Sequence, residues 1–435
     1  MNIKWPKSML ILVIFTAAGS LSSFLREVYI AYEIGASSDL DIYRLAVSYP
    51  YAFFFSFATL LVGIILPRVS RDESSVTFVE SSPVSTVSIF VSIIGIAFAG
   101  VYAPLLGPDL SIAEINDLAF YCRVAWFGFL LSSIYFHFRI YLQYNKKNNI
   151  VASANLICNV GFVVSLWITT TYGMRDLSGL VFAFVVSCGV VSLSFIISAR
   201  NIADIPVVLS SYFSFGGIKD KVVMRLILSG MIFHFVNISL RAVDRAFASS
   251  LGEGWISFLD YAYGLVNGLG AVIGTTFVIY TAKFIALRHD QVGFQYELVK
   301  KLLPVYIVTL VVAFIAVVFS EELVRLAYQR GKFSESYTRE VGELFKYLML
   351  PFALMVGNMV LLQVLLAISS GVTLILFAVV KFVAKYISML MLGSLDSADF
   401  GVSNLAAELI FFLVFIFYFA IKKTAAVKGI GVGSG

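Results

Sequence analysis

The sequence predicts an all-α polytopic membrane protein of about 12 transmembrane helices, in two six-helix lobes related by a parallel internal repeat around a central cavity. Three observations predict this class. Of 435 residues, 60% are hydrophobic and only 13% charged, about half the charged share of an average soluble domain. Apolar runs of about 20 residues, enough to cross a ~30 Å hydrocarbon core as a helix, recur along the whole chain between short polar breaks. Two stretches near the starts of the two halves also echo one another.

Taken in order, the spans fall at about 8–34, 43–67, 84–104, 119–143, 150–171, 178–198, 226–250, 255–282, 302–320, 341–367, 372–393 and 402–421. The runs are continuous and far exceed the ~10 residues of a barrel strand, and they lack its period-two alternation. The first run has no small-residue cleavage site after it, so it reads as a retained span rather than a signal peptide. Cys122, Cys158 and Cys188 all lie inside apolar runs, which gives no support to a disulfide framework in the loops.

Alternate loops differ sharply in charge. One set holds 17 Lys and Arg, from Lys4 and Lys7 to Lys422, Lys423 and Lys428. The opposite set holds five, four of them in "EELVRLAYQRGKFSESYTR". The excess predicts that both termini lie in the cytoplasm. The expected organisation is a first lobe at 1–198, a cytoplasmic linker at 199–221 and a second lobe at 222–428. The tail 429–435, "GIGVGSG", carries no structural signal.

Nine basic residues remain inside or at the ends of spans: Arg26, Arg44, Arg123, Arg139, Arg241, Arg245, Lys346, Lys381 and Lys385. A charge near the bilayer centre costs at least ~2.5–3.5 kcal/mol on insertion scales, so such residues face a partner, a water-filled cavity or a ligand. Snorkelling to the interface explains Arg44, Arg139 and Lys346 equally well, each being close to a span end. Lys381 and Lys385 sit mid-span, one turn apart.

The polar residues form stripes. At 100° per residue, Gly230, His234, Asn237, Arg241, Asp244 and Arg245 share one side of span 7, and Gly19, Ser22, Ser23, Arg26, Tyr29 and Glu33 share one side of span 1. "LREVYIAYEIG" from Leu25 and "LRAVDRAFASSLG" from Leu240 share the order Leu-Arg-x-Val, then Ala, then Gly. A second pair, in spans 4 and 10, lies at a similar offset. Six spans per copy preserve topology, so the copies form a parallel repeat, the plan of transporters that bind substrate between halves and rock for alternating access.

The candidate ligands are therefore Arg26, Arg123, Arg241, Arg245, Lys381 and Lys385, a cationic surplus. Arginine suits bidentate phosphate recognition and stays charged, which points to a phosphate or pyrophosphate. Structural ion pairing is the alternative for Arg241 with Asp244 and for Arg245. Glu27, Asp41 and Asp244 are candidates for gating, with a helix cap as the plainer role of Asp41. His234 is a candidate for proton coupling or an inert hydrogen-bonded imidazole. Asn155 with Asn159, and Asn404 with Glu408, are adequately explained by interhelical hydrogen bonds. There is no nucleotide-binding loop, nucleophile elbow or metal-spaced His or Cys cluster, so the chain is expected to be no enzyme and to need no cofactor. Transport should draw on H+, Na+, the membrane potential or the substrate gradient.

The stretches "SSFLREVYIAYEIGASSDLDIYRLAVSYP", "VDRAFASSLGEGWISFLDYAYGLVNGLGAVIGTTFV" and "LAYQRGKFSESYT", in that order, resemble the MurJ/MviN-like branch of the multidrug/oligosaccharidyl-lipid/polysaccharide exporter superfamily. The resemblance implies two six-span lobes around a cationic cavity and flipping of undecaprenyl-pyrophosphate-linked sugars, including lipid II, across the bacterial inner membrane. Carried over, the family's Arg-acid pair in span 1 corresponds to Arg26 and Glu27, and its acid after the Gly-Ala turn to Asp41. Three departures stand out. Span 2 reads "FFFSFATLLVG" where lipid II flippases have an acid, span 8 has Tyr263, Gly264 and Asn267 where they have charges, and about 12 spans replace their 14. These departures favour an O-antigen, capsule or exopolysaccharide unit, with lipid II as the close alternative. The implied partners are the lipid-linked glycan pyrophosphate, the bilayer and a polysaccharide polymerase or other envelope proteins, and no nucleic acid. A cation-coupled antiporter is disfavoured by the Arg surplus, and a membrane glycosyltransferase or ligase by the lack of a large external catalytic loop.

Overall fold

The computed structural model describes residues 7–69, 82–145, 147–201, 205–212, 221–288, 294–368, 371–393 and 396–427. Among these residues there is no strand; the chain is a succession of helices. Each of the twelve expected segments lies on one helix or on two consecutive ones. By length and hydropathy, seven described helices can cross a membrane, or nine if each of two bent pairs is one span. The count covers the described residues alone, and it leaves the expected number of twelve unconfirmed. The expected tail 429–435 and residues 202–204 and 213–220 of the linker lie outside the described residues.

The helices form two compact units. Unit 1 comprises 1–238, 252–257 and 330–333; unit 2 comprises 239–251, 258–329 and 334–435. Unit 1 contains α1 (Lys7–Glu33), α2 (Ser38–Val69), α3 (Ser82–Ala97), α4 (Ala99–Leu106), α5 (Ile112–Tyr144), α6 (Asn148–Ala152), α7 (Ala154–Thr171), α8 (Leu177–Ala199), α9 (Ile205–Tyr212) and the first part of α10 (Lys221–Ala248). Its centre is α5, which packs on α2, α3 and α8, while α1 packs on α7. Ser111 and Glu114 start α5 with a reciprocal capping box, and Asp176 caps α8 by accepting from the Gly179 amide. Phe54, Phe129, Tyr135, Phe136 and Phe195 interlock between these helices with ring centroids 4.7–5.9 Å apart. Gly35 ends α1 at φ 78°, and the neighbouring turn residue Gly331, at φ 58°, lies so close that a Cβ there would meet the Tyr32 carbonyl oxygen at 2.4 Å. The Lys332 amide donates to that same carbonyl at 3.0 Å.

Unit 2 contains the end of α10, most of α11 (Trp255–Arg288), α12 (Phe294–Val318), α13 (Ser320–Tyr328), α14 (Glu335–Leu348), α15 (Phe352–Ile368), α16 (Gly371–Leu392) and α17 (Ser397–Val427). Pro351, which lacks an amide proton, separates α14 from α15, and the pair bends by 52°. The closest backbone approach is at Gly401 on α17, where a Cβ would meet the Tyr347 carbonyl oxygen at 2.5 Å. The core is a cluster around Val364, Leu365, Phe377, Phe411 and Phe415, contributed by α15, α16 and α17.

Candidate functional site

Within unit 1, Arg26 on α1 is enclosed by α2 and α7. Its Nη2 lies 2.6 Å from Glu27 Oε1, and its Nη1 donates to the Tyr51 hydroxyl at 2.9 Å and to Asn159 Oδ1 at 3.1 Å. The rings of Tyr51 and Phe162 flank the guanidinium, with centroids 4.8 and 5.4 Å away. Glu27 uses its other oxygen on Arg44 at 3.0 Å, so two arginines share one carboxylate. Asn159 in turn donates to Ser23 and Asn155 at 2.8 and 2.9 Å. This network fixes Arg26 from every side, and it draws in Arg44, which snorkelling had explained. Arg44 is buried.

The other unit 1 candidates lie apart. Asp41 is buried and accepts from the amides of Gly254 and Ser257, at 2.7 and 2.8 Å, and from the Ser257 hydroxyl. It caps the start of α11 from another helix, which the sequence could not show because the donors lie more than 200 residues away. Arg123 is exposed on α5 beside Gly100 of α4. His234 is half-buried and meets the neighbouring Phe233 ring edge-on.

Unit 2 gathers the remaining candidates into three pairs. The first is Lys385 on α16 with Asp244 on α10, Nζ to Oδ2 at 2.5 Å, with side chains 2% and 0% exposed. The Tyr263 hydroxyl also donates to Asp244 Oδ2, Lys385 donates to Asn404 Oδ1 at 3.0 Å, and Asn404 Nδ2 donates to the Tyr263 oxygen at 2.8 Å. The other oxygen of Asp244 is buried without a hydrogen-bond partner. The second pair is Arg245 with Asp260 of α11, a two-oxygen contact at 2.8 and 3.0 Å. The third is Lys381 with Glu408 of α17 at 2.6 Å, where Glu408 also accepts from Asn358 at 2.7 Å.

Arg241 differs from these three. It is half-buried on α10, no carboxylate lies within salt-bridge distance of it among the described residues, and its guanidinium stands 4.7 Å over the Tyr263 ring. Among the described residues, unit 2 thus sets one acid against each of Arg245, Lys381 and Lys385, and none against Arg241. Tyr51, Arg44 and Asp260 were not recognised as site residues from the sequence. Asp260 had a legible signal, an acid within the apolar run of span 8, that attention to Tyr263 and Asn267 passed over.

The family model described as lipid II flippase MurJ matches residues 30–433. The chain belongs to the MurJ family. It is thus a multi-pass membrane protein of a flippase family. Among solved structures it resembles "Lipid II flippase MurJ, inward closed conformation" at 18% identity and TM-score 0.78, over 94% of this chain and 87% of that one. It also resembles a MATE transporter in complex with MaL6, at 15% identity and TM-score 0.62 over 97% of both chains. A MOP superfamily transporter from Pyrococcus furiosus, described as having a binding pocket of reversed polarity, matches at 13% identity and TM-score 0.61 over 96% of both chains. At these identities the likeness is one of fold. No curated protein sequence matches it significantly.

Proposed function

We propose that this MurJ family protein flips an undecaprenyl-pyrophosphate-linked glycan, lipid II in the first place, across the bacterial inner membrane by alternating access, with both termini in the cytoplasm. Family membership supports the lipid-linked substrate and favours lipid II over an O-antigen, capsule or exopolysaccharide unit. The argument from span 8 weakens, since Asp260 supplies an acid there and pairs with Arg245. The observation that carries the anionic end of the reading is Arg241, half-buried with no carboxylate partner. A planar guanidinium held over an aromatic ring has its edge donors free to take two phosphate oxygens.

Arg26 contributes differently. Two arginines sharing Glu27 leave that cluster with a net positive charge, so it attracts the pyrophosphate without surrendering its own hydrogen bonds. Asp41 is the gating residue, because its three acceptor contacts hold segment 252–257 to α2 and must break for that segment to move. The driving force is a gradient of H+ or Na+, or the membrane potential. The working partners are the bilayer and other envelope-synthesis proteins.

The experiment is complementation of a bacterium depleted of its own lipid II flippase. Growth restored by this chain supports lipid II. Failure to grow, with the protein inserted and a lipid-linked surface-polysaccharide unit exported instead, replaces lipid II by that substrate.

A further inference from the structure

Asp244, Lys385, Asn404 and Tyr263 form a closed cycle of hydrogen bonds. Tyr263 donates to Asp244, Lys385 bridges Asp244 and Asn404, and Asn404 returns a donor to the Tyr263 oxygen. The four residues come from α10, α16, α17 and α11, so the cycle ties four helices of unit 2 together. One carboxylate and one ammonium make it electroneutral, and both are buried almost completely. Lys385 is therefore spent on an internal counterion, and a pyrophosphate that recruited it would strand the buried carboxylate of Asp244 without its cation.

Within the cycle, Tyr263 turns its ring face to a further cation, Arg241, whose guanidinium stands 4.7 Å over it. The phenol is held at its oxygen by two partners and its residue is buried, which fixes the plane of the ring. An arginine side chain loses rotamer freedom on binding, and a fixed aromatic floor removes part of that loss in advance.

We infer that Tyr263 is a positioning residue for the substrate's pyrophosphate, acting through Arg241, and that Asp244, Lys385 and Asn404 form the clamp that sets its ring. This rests on the proposal that Arg241 meets the phosphate, and it adds a role at the very position where the chain departs from the charged pattern of lipid II flippases. Tyr263 takes over by ring placement what a charge would do by attraction.

The test is a double-mutant cycle on the purified full-length protein, reading binding of undecaprenyl pyrophosphate in detergent and the concentration dependence of flipping in liposomes. Tyr263→Leu removes the ring and should weaken apparent affinity about 5- to 30-fold, the range of a partly desolvated cation–π contact, with the maximal rate little changed. Tyr263→Phe keeps the ring and loses the anchor, and should fall between the two. In an Arg241→Ala background, Tyr263→Leu should have no further effect. An equal loss from Tyr263→Leu with and without Arg241 overturns the inference while leaving Arg241 as a ligand. Unchanged affinity in Arg241→Ala alone removes the underlying reading, and this inference with it. Tyr263→Phe keeps the test valid should the leucine variant fail to fold.

Discussion

Replacing Asp244 by alanine isolates the buried pair at the centre of unit 2. The change leaves the Lys385 ammonium, 2% exposed, with Asn404 Oδ1 at 3.0 Å as its remaining hydrogen-bond acceptor, and it removes the acceptor of the Tyr263 hydroxyl. Stranding one member of a buried ion pair costs about 3–5 kcal/mol. With roughly 2–4 °C of melting temperature per kcal/mol for a unit of this size, the expected drop is about 6–20 °C. The assay is thermal unfolding of the detergent-purified protein, followed as the monodisperse fraction on gel filtration after heating. Asp244→Leu combined with Lys385→Met replaces both charges by apolar groups of similar volume and should recover most of the loss, since such exchanges are often neutral or stabilising. A melting temperature for Asp244→Ala within about 2 °C of wild type, less than 1 kcal/mol on the same scale, would refute the view that this pair is dry and mutually dependent.

Two further outcomes follow from unit 1. Asp41→Ala removes the acceptor of two amides and a hydroxyl at the start of α11. It should cost about 1–2 kcal/mol, as loss of a helix cap does, and raise hydrogen exchange at the amides of Gly254 and Ser257 while leaving the α5 core protected. Arg26→Lys keeps the charge but cannot reach Glu27, Tyr51 and Asn159 together. Flipping should fall about tenfold, the value of one charge-assisted hydrogen bond, with normal membrane insertion, as measured by fluorescent-lipid translocation and by protein recovered in the membrane fraction.

The helices were legible because lipid imposes one rule, that each backbone polar group be satisfied within its own segment, and a run of about 20 apolar residues is its trace. What the runs did not show was where they break. The 74° turn between α3 and α4 sits inside an unbroken apolar stretch around Phe98, where no polar residue marks it. The basic residues of the site were legible too, since an arginine or lysine in such a run is conspicuous. Their partners were harder to find. Asp260 pairs with Arg245 across 15 residues and Glu408 with Lys381 across 27, and in each case the two partners lie on different helices, so no periodicity along one helix connects them. Charge counting alone therefore placed Arg245, Lys381 and Lys385 beside Arg241 as equivalent ligands, whereas the packing gives each of the three its own carboxylate and, among the described residues, gives Arg241 none.

The central claim is that Arg241 meets the pyrophosphate of a lipid-linked sugar during flipping. Its most direct test is the rate at which liposomes containing Arg241→Ala protein move a fluorescent undecaprenyl-pyrophosphate sugar out of reach of an external quencher, compared with wild type and with empty liposomes. The account predicts rapid movement with wild type and a fall of at least about tenfold in the variant at unchanged melting temperature. Movement in the variant at the wild-type rate would contradict it.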